Sequence, residues 1–466
     1  MTSHPFHRHA GAAVLLSLLA GCAGVTPDGG FEAVAKRAQE RGGLAPRIVL
    51  DEADARAIGE TTRALLAKPL DMDAAVRIAL LNNPGLQASY WNVGVAQADL
   101  AQAARLQNPS FGFKRTAGGG DVEIERSFTF SLVQALTLPL ARRMENARFE
   151  QMKLTVGAGI ERHAFETRRA WIDAVGARQS LDYARRVNAA AEASAELMGR
   201  MARSGNAAKL DLAREQVFHA EAFAGVARAD RQAVTARERL VRLLGLWGQD
   251  SALTLPERLP DLPAAPAQIA DLERRALANR LDIAAARQDS AALASSLGLS
   301  RSTRFINVFE LGAVRKSETG MPAARGYEVA IELPLFDWGQ ARNARAEALY
   351  MQSLQRVAET GINARSQARE RYLGYRAAWD LARHYRDEVL PLRKRISHEV
   401  LLRYNGMLAS SFDLLSDARE QAGAVNATID ALKEFWSAHV DLEEALGGPV
   451  AQGAQAAPSQ HKEHAQ

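Results

Sequence analysis

Residues 79–82 read Ala-Leu-Leu-Asn, and residues 276–279 read Ala-Leu-Ala-Asn (276 − 79 = 197). Asn146-Ala147-Arg148 returns at the same offset as Asn343-Ala344-Arg345. Leu138-Pro139-Leu140 matches Leu333-Pro334-Leu335, and Gly205 followed by Ala213-Arg214-Glu215-Gln216 matches Gly406 followed by Ala418-Arg419-Glu420-Gln421. A period of about 200 residues is too long for a solenoid repeat. It marks an internal duplication, so the chain must build one plan twice, over residues 71–255 and 267–447, joined by the proline-rich linker 256–266.

Each copy opens with a short helix. In the first, Asp71 is an N-cap and Asp73 adds negative charge to the first turn. Asn83-Pro84 interrupts the helix, which resumes near Gly85 and ends before Asn108-Pro109. The hydrophobic period then changes. Ile124, Arg126, Phe128, Phe130 and Leu132 alternate with Glu123, Glu125, Ser127, Thr129 and Ser131, which predicts a strand with two unlike faces. Phe111 and Phe113, across the Gly118-Gly119-Gly120-Asp121 loop, complete a hairpin over 110–137. The second copy predicts a hairpin over 305–333, with a polar loop around Lys316–Arg325 and Leu333-Pro334 closing the strand.

Helix comes next in both copies. No proline occurs between Leu140 and Leu255. Ala141–Ser204 makes one helix of about 90 Å at 1.5 Å per residue; Gly205 turns it and a return arm completes the helical hairpin 141–247. The second copy repeats this over 341–447, with the turn at Gly406 and a kink at Pro391. Helices of this length persist only against other helices, as antiparallel coiled coil. Trp171 and Tyr372, equivalently placed before the two turn glycines, read as one packing layer.

Hydrophobic residues make up 47% of the chain and aromatic ones only 6%, a long-helix composition that excludes a disordered chain. The net charge of +4 comes from interleaved signs, without the Lys/Arg blocks that would point to nucleic acid. His163, His219, His384, His398 and His439 stand singly, at no metal-ligand spacing. Gly118–Gly120 precedes a strand, where a phosphate loop needs a helix. The expectation is a protein with no catalytic residues, no metal site and no cofactor.

At the N-terminus, Ala10–Ala20 is an apolar run too short to span a bilayer and suited to a secretory signal, residues 1–21. It ends in Leu19-Ala20-Gly21-Cys22, which resembles the bacterial lipoprotein lipobox. Cys22, the sole cysteine, is the expected lipidation site, and Ala23 after it suits an outer-membrane lipoprotein. Residues 22–70 read as a lipidated linker and 448–466 as a disordered tail. No other segment holds about 18 consecutive apolar residues, so a membrane crossing would use β-strands in a closed barrel. Two hairpins supply four strands, fewer than the eight of the smallest barrels. Copies of the chain must complete it: eight strands from a dimer or twelve from a trimer.

Over roughly residues 68–447 the chain resembles the outer-membrane efflux proteins, the TolC-like channels. The fullest match is Leu333-Pro334-Leu335-Phe336-Asp337-Trp338-Gly339-Gln340, the strand-to-helix segment. Leu70-Asp71-Met72-Asp73-Ala74-Ala75, Asn82-Asn83-Pro84, Asn108-Pro109, Arg403-Tyr404-Asn405-Gly406 and Phe412-Asp413-Leu414-Leu415 add to it. Leu281 departs from the family's usual proline, the first copy lacks a counterpart of Phe336–Gly339, and the turn after Gly406 is one residue longer. The resemblance implies a mainly α protein with a β-barrel part: a homotrimer with a twelve-stranded barrel in the outer membrane, four strands per protomer, and a periplasmic coiled-coil tunnel. It further implies a periplasmic adaptor (membrane fusion) protein docking at the Gly205 and Gly406 turns, an inner-membrane pump, expected to be proton-driven, and a periplasmic gate at Asp413 and Asp417. Two other readings stand beside it: a coiled-coil lipoprotein scaffold without a pore, and a duct for type I secretion. Drug, heavy-metal and polypeptide cargoes all fit such a duct.

Overall fold

The computed structural model describes residues 24–303 and 308–450. Cys22, the signal segment 1–21, residues 304–307 of the second hairpin and tail residues 451–466 lie outside the described residues. In chain order the elements are α1 (Phe31–Gly42), α2 (Glu52–Leu66), α3 (Met72–Asn82), α4 (Pro84–Ala103), β1 (Ser110–Gly118), β2 (Asp121–Ser131), α5 (Leu132–Arg203) and α6 (Lys209–Leu244). A 3-10 turn, Gly248–Ser251, comes next, then α7 (Leu272–Asn279), α8 (Leu281–Ser302), β3 (Phe309–Glu318), β4 (Ala324–Ile331) and α9 (Gln340–His384). A π-helical segment (Tyr385–Val389), α10 (Leu390–Asn405) and α11 (Ser411–Leu446) complete the chain. None of the described helices is long and apolar enough to cross a membrane.

The chain divides into two compact units that cut across the duplication. One comprises Met1–Val34, Ser89–Gly157 and Leu281–Gly361; the other Ala35–Ala88, Ala158–Arg280 and Ile362–Gln466. The first unit holds a single antiparallel sheet in the order β1-β2-β3-β4, so the hairpins of the two copies pair with each other through β2 and β3. Gly119 and Gly120, with φ of +64° and +96°, form the two-residue turn that matches strand twist. Two strand boundaries differ from the sequence pattern. The chain is already helical at Leu132, so the first hairpin ends at Ser131 and not at 137. The second hairpin's loop is confined to residues 319–323, because the polar stretch read as loop continues the ladder: Lys316 pairs across to Ala324 and Arg315 to Arg325.

The second unit has no strand among its described residues, and its helices pack around a large apolar core. Trp171 donates its indole N–H to the Leu70 carbonyl at 2.7 Å, Trp436 to that of Pro260 at 2.9 Å and Trp379 to that of Pro263 at 3.0 Å. The Tyr375 hydroxyl accepts from the Ala267 N–H at 2.9 Å. The linker 256–266 is thus no free tether: Leu259 and Leu262 are buried in the same core. Residues 22–70 likewise contain two helices, because Phe31, Val34 and Ala38 in α1 and Ile58 with Thr62 in α2 recur at helical spacing and are buried. The tail's first residues are ordered too, with Val450 buried and its N–H donated to Glu443 at 3.0 Å.

One joint recurs in both copies. α6 ends at Gly245 and α11 at Gly447, each with φ of +68°. A β-carbon on Gly245 would stand 2.7 Å from the Asn82 carbonyl oxygen, and one on Gly447 2.9 Å from the Arg280 nitrogen. The helix ends are met by polar groups: Asn82 and Asn83 donate their amides to the Gly245 and Leu243 carbonyls at 2.8 and 3.0 Å. In the second copy Arg41 donates to the carbonyls of Asn279 and Gly447. Leu281 opens α8 as Pro84 opens α4. At Pro391 the regular ladder is interrupted: the π-helical segment Tyr385–Val389 precedes it, Leu390 donates to the Tyr385 carbonyl, and Pro391 stands in the first turn of α10.

Candidate functional site

The sheet of the first unit segregates its side chains by face. Cross-strand partners share a face, so the register puts Phe111, Phe113, Phe128, Leu311, Tyr327, Val329 and Ile331 together. All are exposed, from 45% for Leu311 to 84% for Tyr327. The other face carries Lys114 opposite Glu125, Glu125 opposite Lys316, and Glu123 opposite Thr116 and Glu318. Lys316 binds Glu123 there at 3.0 Å. β1 and β4 have no further strand beside them among the described residues. A sheet with a wide aromatic face in the open and two unpaired edges is unfinished as a monomer.

The strand-to-helix signature explains itself locally. Pro334 ends the ladder after Ile331, and Leu335 donates back to the Leu333 carbonyl at 2.8 Å. The Asp337 carboxylate accepts the Gly339 N–H at 2.8 Å, an Asx turn. Gly339, with φ of +70°, launches α9 by accepting from the Asn343 N–H at 3.0 Å. Phe336 is 99% exposed and Trp338 half-exposed. Neither belongs to the buried core. The matching Leu138-Pro139-Leu140 lies inside α5.

The helical hairpins of the second unit turn at two related places. Gly205, with φ of +78°, closes α5: Asn206 donates to the Met201 carbonyl at 2.8 Å and Gly205 to that of Ala202 at 3.2 Å, a Schellman cap. The second turn makes the same pair of bonds one residue later. Leu408 donates to Arg403 at 2.8 Å and Met407 to Tyr404 at 3.0 Å. The left-handed residue is therefore Met407, with φ of +59°, and Gly406 has φ of −81°. Gly406 stands in the turn as the C-cap of α10, and the left-handed position falls on the residue after it. Met407 is 94% and Leu408 81% exposed.

Asp413 and Asp417 play different parts in the chain. Asp413 is exposed and closes a capping box with Ser410, accepting its backbone N–H and its hydroxyl, each at 2.8 Å. Those bonds, the backbone one foremost, hold its carboxyl below the usual carboxylate range. Sequence reasoning missed Ser410, although Ser-x-x-Asp before an apolar run is the capping signature. Asp417 is buried, at 8% exposure, and its Oδ1 has no hydrogen-bond partner. Leu415, two residues before it, packs with Phe218 and Ala191, and Arg419 stacks over the Phe218 ring at 5.1 Å. Asp211, the first-copy analogue of Asp413, stands 3.6 Å from Arg214.

No protein-family model matches the chain. Protein CyaE of Bordetella pertussis is 27% identical over 299 residues, which cover 59% of this chain and 61% of that protein. The chain thus spans 61% of the length of this curated relative. Among solved structures, a membrane protein from Pseudomonas aeruginosa superposes with a TM-score of 0.70 at 20% identity, over 81% of this chain and 93% of its own. The Campylobacter jejuni CmeC outer membrane channel gives 0.68 at 17% identity, over 82% and 87%. The open state of the Neisseria gonorrhoeae MtrE outer membrane channel gives 0.67 at 18%, over 83% and 91%. Two helical hairpins, one four-stranded sheet and these superpositions give the chain the TolC-like fold of outer-membrane efflux channels.

Proposed function

We propose that the chain is one protomer of an outer-membrane exit duct. Three copies join their sheets edge to edge into a twelve-stranded barrel, and their helical hairpins form a periplasmic tunnel. The observation that carries this reading is the unfinished sheet: an exposed aromatic face, a charged opposite face and two free edges. In lipid an open edge leaves backbone groups unpaired at several kcal/mol each, which closure by further copies removes. The aromatic face then meets lipid and the Lys/Glu face lines the lumen. Cys22, once lipidated, anchors the chain to the same membrane with more than one acyl chain.

In this reading transport is passive within the duct, and the driving energy comes from an inner-membrane pump, proton-driven, through a periplasmic adaptor. The adaptor docks at the Gly205 turn and at the second turn, where the Met407 and Leu408 side chains are exposed. Asp417 supports a gate: a buried carboxylate oxygen without a partner in the single chain is free for groups that assembly brings near. Around a three-fold axis, Asp413 and Asp417 become rings of carboxylates that favour cations.

Single-channel recording of the purified protein in planar bilayers, with heat-modifiable migration of the trimer, tests the duct. Discrete currents support it; a monomer without current returns the chain to a coiled-coil scaffold. Asp413→Ala with Asp417→Ala raises the conductance of the reconstituted channel, and an unchanged conductance removes the gate assignment.

A further inference from the structure

The aromatic face of the sheet is not wholly apolar. The register sets Phe113 opposite Arg126, Arg126 opposite Arg315 and Arg315 opposite Arg325. Three arginines on three successive strands therefore form one row, with Cβ atoms about 4.5–5.5 Å apart between neighbours. Arg115, two residues beyond Phe113, sits diagonally from Arg126 on the same face. All four are exposed. No carboxylate occurs among the strand residues of this face, and among the described residues none of the four arginines has an ion pair, whereas Lys316 on the opposite face is paired with Glu123 at 3.0 Å.

Like charges directly opposed in a sheet repel, so this row is unfavourable without an anion. Its position says where that anion comes from. On the helix side of the row lie Phe128, Ala313 and Tyr327, then Phe130, Leu311 and Val329, and then Phe309 and Ile331. On the turn side the face carries no further aromatic residue: Arg115, Ile124 and Ser317 come next, then only the small pair Ala117 and Val122. The row marks the edge of the apolar band, flanked by Phe113 and Tyr327 as interfacial aromatics. Arginine on a barrel's lipid face is costly at mid-bilayer and nearly neutral at the interface. Guanidinium forks match phosphate oxygens with bidentate, charge-assisted bonds.

We propose that Arg126, Arg315 and Arg325, with Arg115 beside them, form a binding site for the phosphate of a membrane lipid headgroup, in the leaflet level with the hairpin turns. The site rests on the barrel reading, since it needs this face to meet lipid. Each protomer carries one such row, so a trimer holds three.

The full-length protein in detergent is titrated with a bisphosphorylated, acylated glucosamine disaccharide, with its dephosphorylated form, and with inorganic phosphate, and bound lipid is counted by native mass spectrometry. Saturable binding of the phosphorylated lipid is expected. Arg126→Gln, Arg315→Gln and Arg325→Gln together lower its affinity on the order of tenfold or more. Lys114→Gln with Lys316→Gln, on the opposite face, leaves it unchanged. Equal binding of the dephosphorylated lipid overturns the proposal, as does full binding by the triple arginine variant. Inorganic phosphate binding as tightly as the lipid overturns the lipid assignment. If the triple variant does not assemble, the wild-type comparison of the two lipids decides alone. Channel current is recorded on the same preparation: its absence in the wild-type protein removes the barrel reading, while current without phosphate-dependent lipid binding removes this proposal only.

Discussion

Glu443 is the carboxylate whose partner should matter most to the helical unit. It is 6% exposed. Its Oε2 accepts from Arg168 Nη1 at 2.8 Å, and its Oε1 accepts the Val450 N–H at 3.0 Å and stands 3.6 Å from His439 Nε2. Arg168→Met keeps an unbranched stem beside Phe165, over which the guanidinium now lies at 5.9 Å, and removes only the charge. Stripping one partner from a buried pair costs about 3–5 kcal/mol, because the other charge stays desolvated. The surviving Val450 bond and the 19% exposure of the Arg168 side chain put the loss at the lower end, about 3 kcal/mol. At about 2 °C per kcal/mol for a unit of this size, the melting temperature falls by ~6 °C. Tryptophan fluorescence in detergent at pH 7.5 reads it, since Trp171, Trp379 and Trp436 all lie in that core. Scan rate is held fixed, as unfolding of such a protein is kinetically controlled. Arg168→Met combined with Glu443→Leu removes both charges and returns to within about 2 °C of wild type. A single variant that melts with the wild type, or a double variant no better than the single, refutes the reasoning.

The hairpin turns should respond oppositely to glycine. Gly205→Ala forces a β-carbon into the left-handed region and speeds amide exchange in the adjoining helix ends by about 5–30-fold, and Met407→Gly slows it by about fivefold, both read by hydrogen-exchange mass spectrometry. His163 and His439 are held below the ordinary histidine value near 6.5, chiefly by burial. The unfolded chain therefore binds more protons as pH falls through that value, and stability present above it is lost below it. Melting temperature drops by about 2–4 °C from pH 7.5 to 5.5, and His163→Gln with His439→Gln flattens the profile.

How much is legible in the sequence depends on whether a feature is periodic. The period-two runs around Phe128 and Val329 and the proline-free arms give the sheet and the helical hairpins, because burial on one face writes itself into residue spacing. Polarity misleads at the strand ends, where it imitates loop. Lys316, Glu318 and Arg325 are strand residues, polar because one face of this sheet carries charge and the edge of the other carries arginine. Leu132–Leu140 looks like the end of a strand, since proline and β-branched residues argue against helix, yet α5 begins there. The linker's prolines suggest a spacer; Leu259 and Leu262 between them, at positions that reach the core, are the signal against it. At the candidate gate, spacing says that Asp413 and Asp417 lie near one helix face. It does not say that Ser410 occupies the first while the second is buried, since that depends on contacts across the hairpin.

The duplication is preserved where the two copies must do the same thing and broken where they cannot. The joint at Asn82 with Gly245 recurs at Asn279 with Gly447, down to the same positive φ, because each copy must bring a long return helix back against its own opening helix. The strand-to-helix passage does not recur. After β2 the chain enters helix at once and carries Pro139 inside it; after β4 it stays extended through Pro334 and starts α9 only at Gln340. The same Leu-Pro-Leu therefore has two conformations, chosen by the residues just downstream: Asp337-Trp338-Gly339 supplies an Asx turn and a left-handed start, whereas Ala141-Arg142-Arg143 supplies only good helix formers. Placed around a barrel, such a pair of passages gives alternating short and long crossings from strand to helix. The ring of three chains proposed above would carry six similar passages of two kinds, of which only the second has the exposed Phe336 and the half-exposed Trp338.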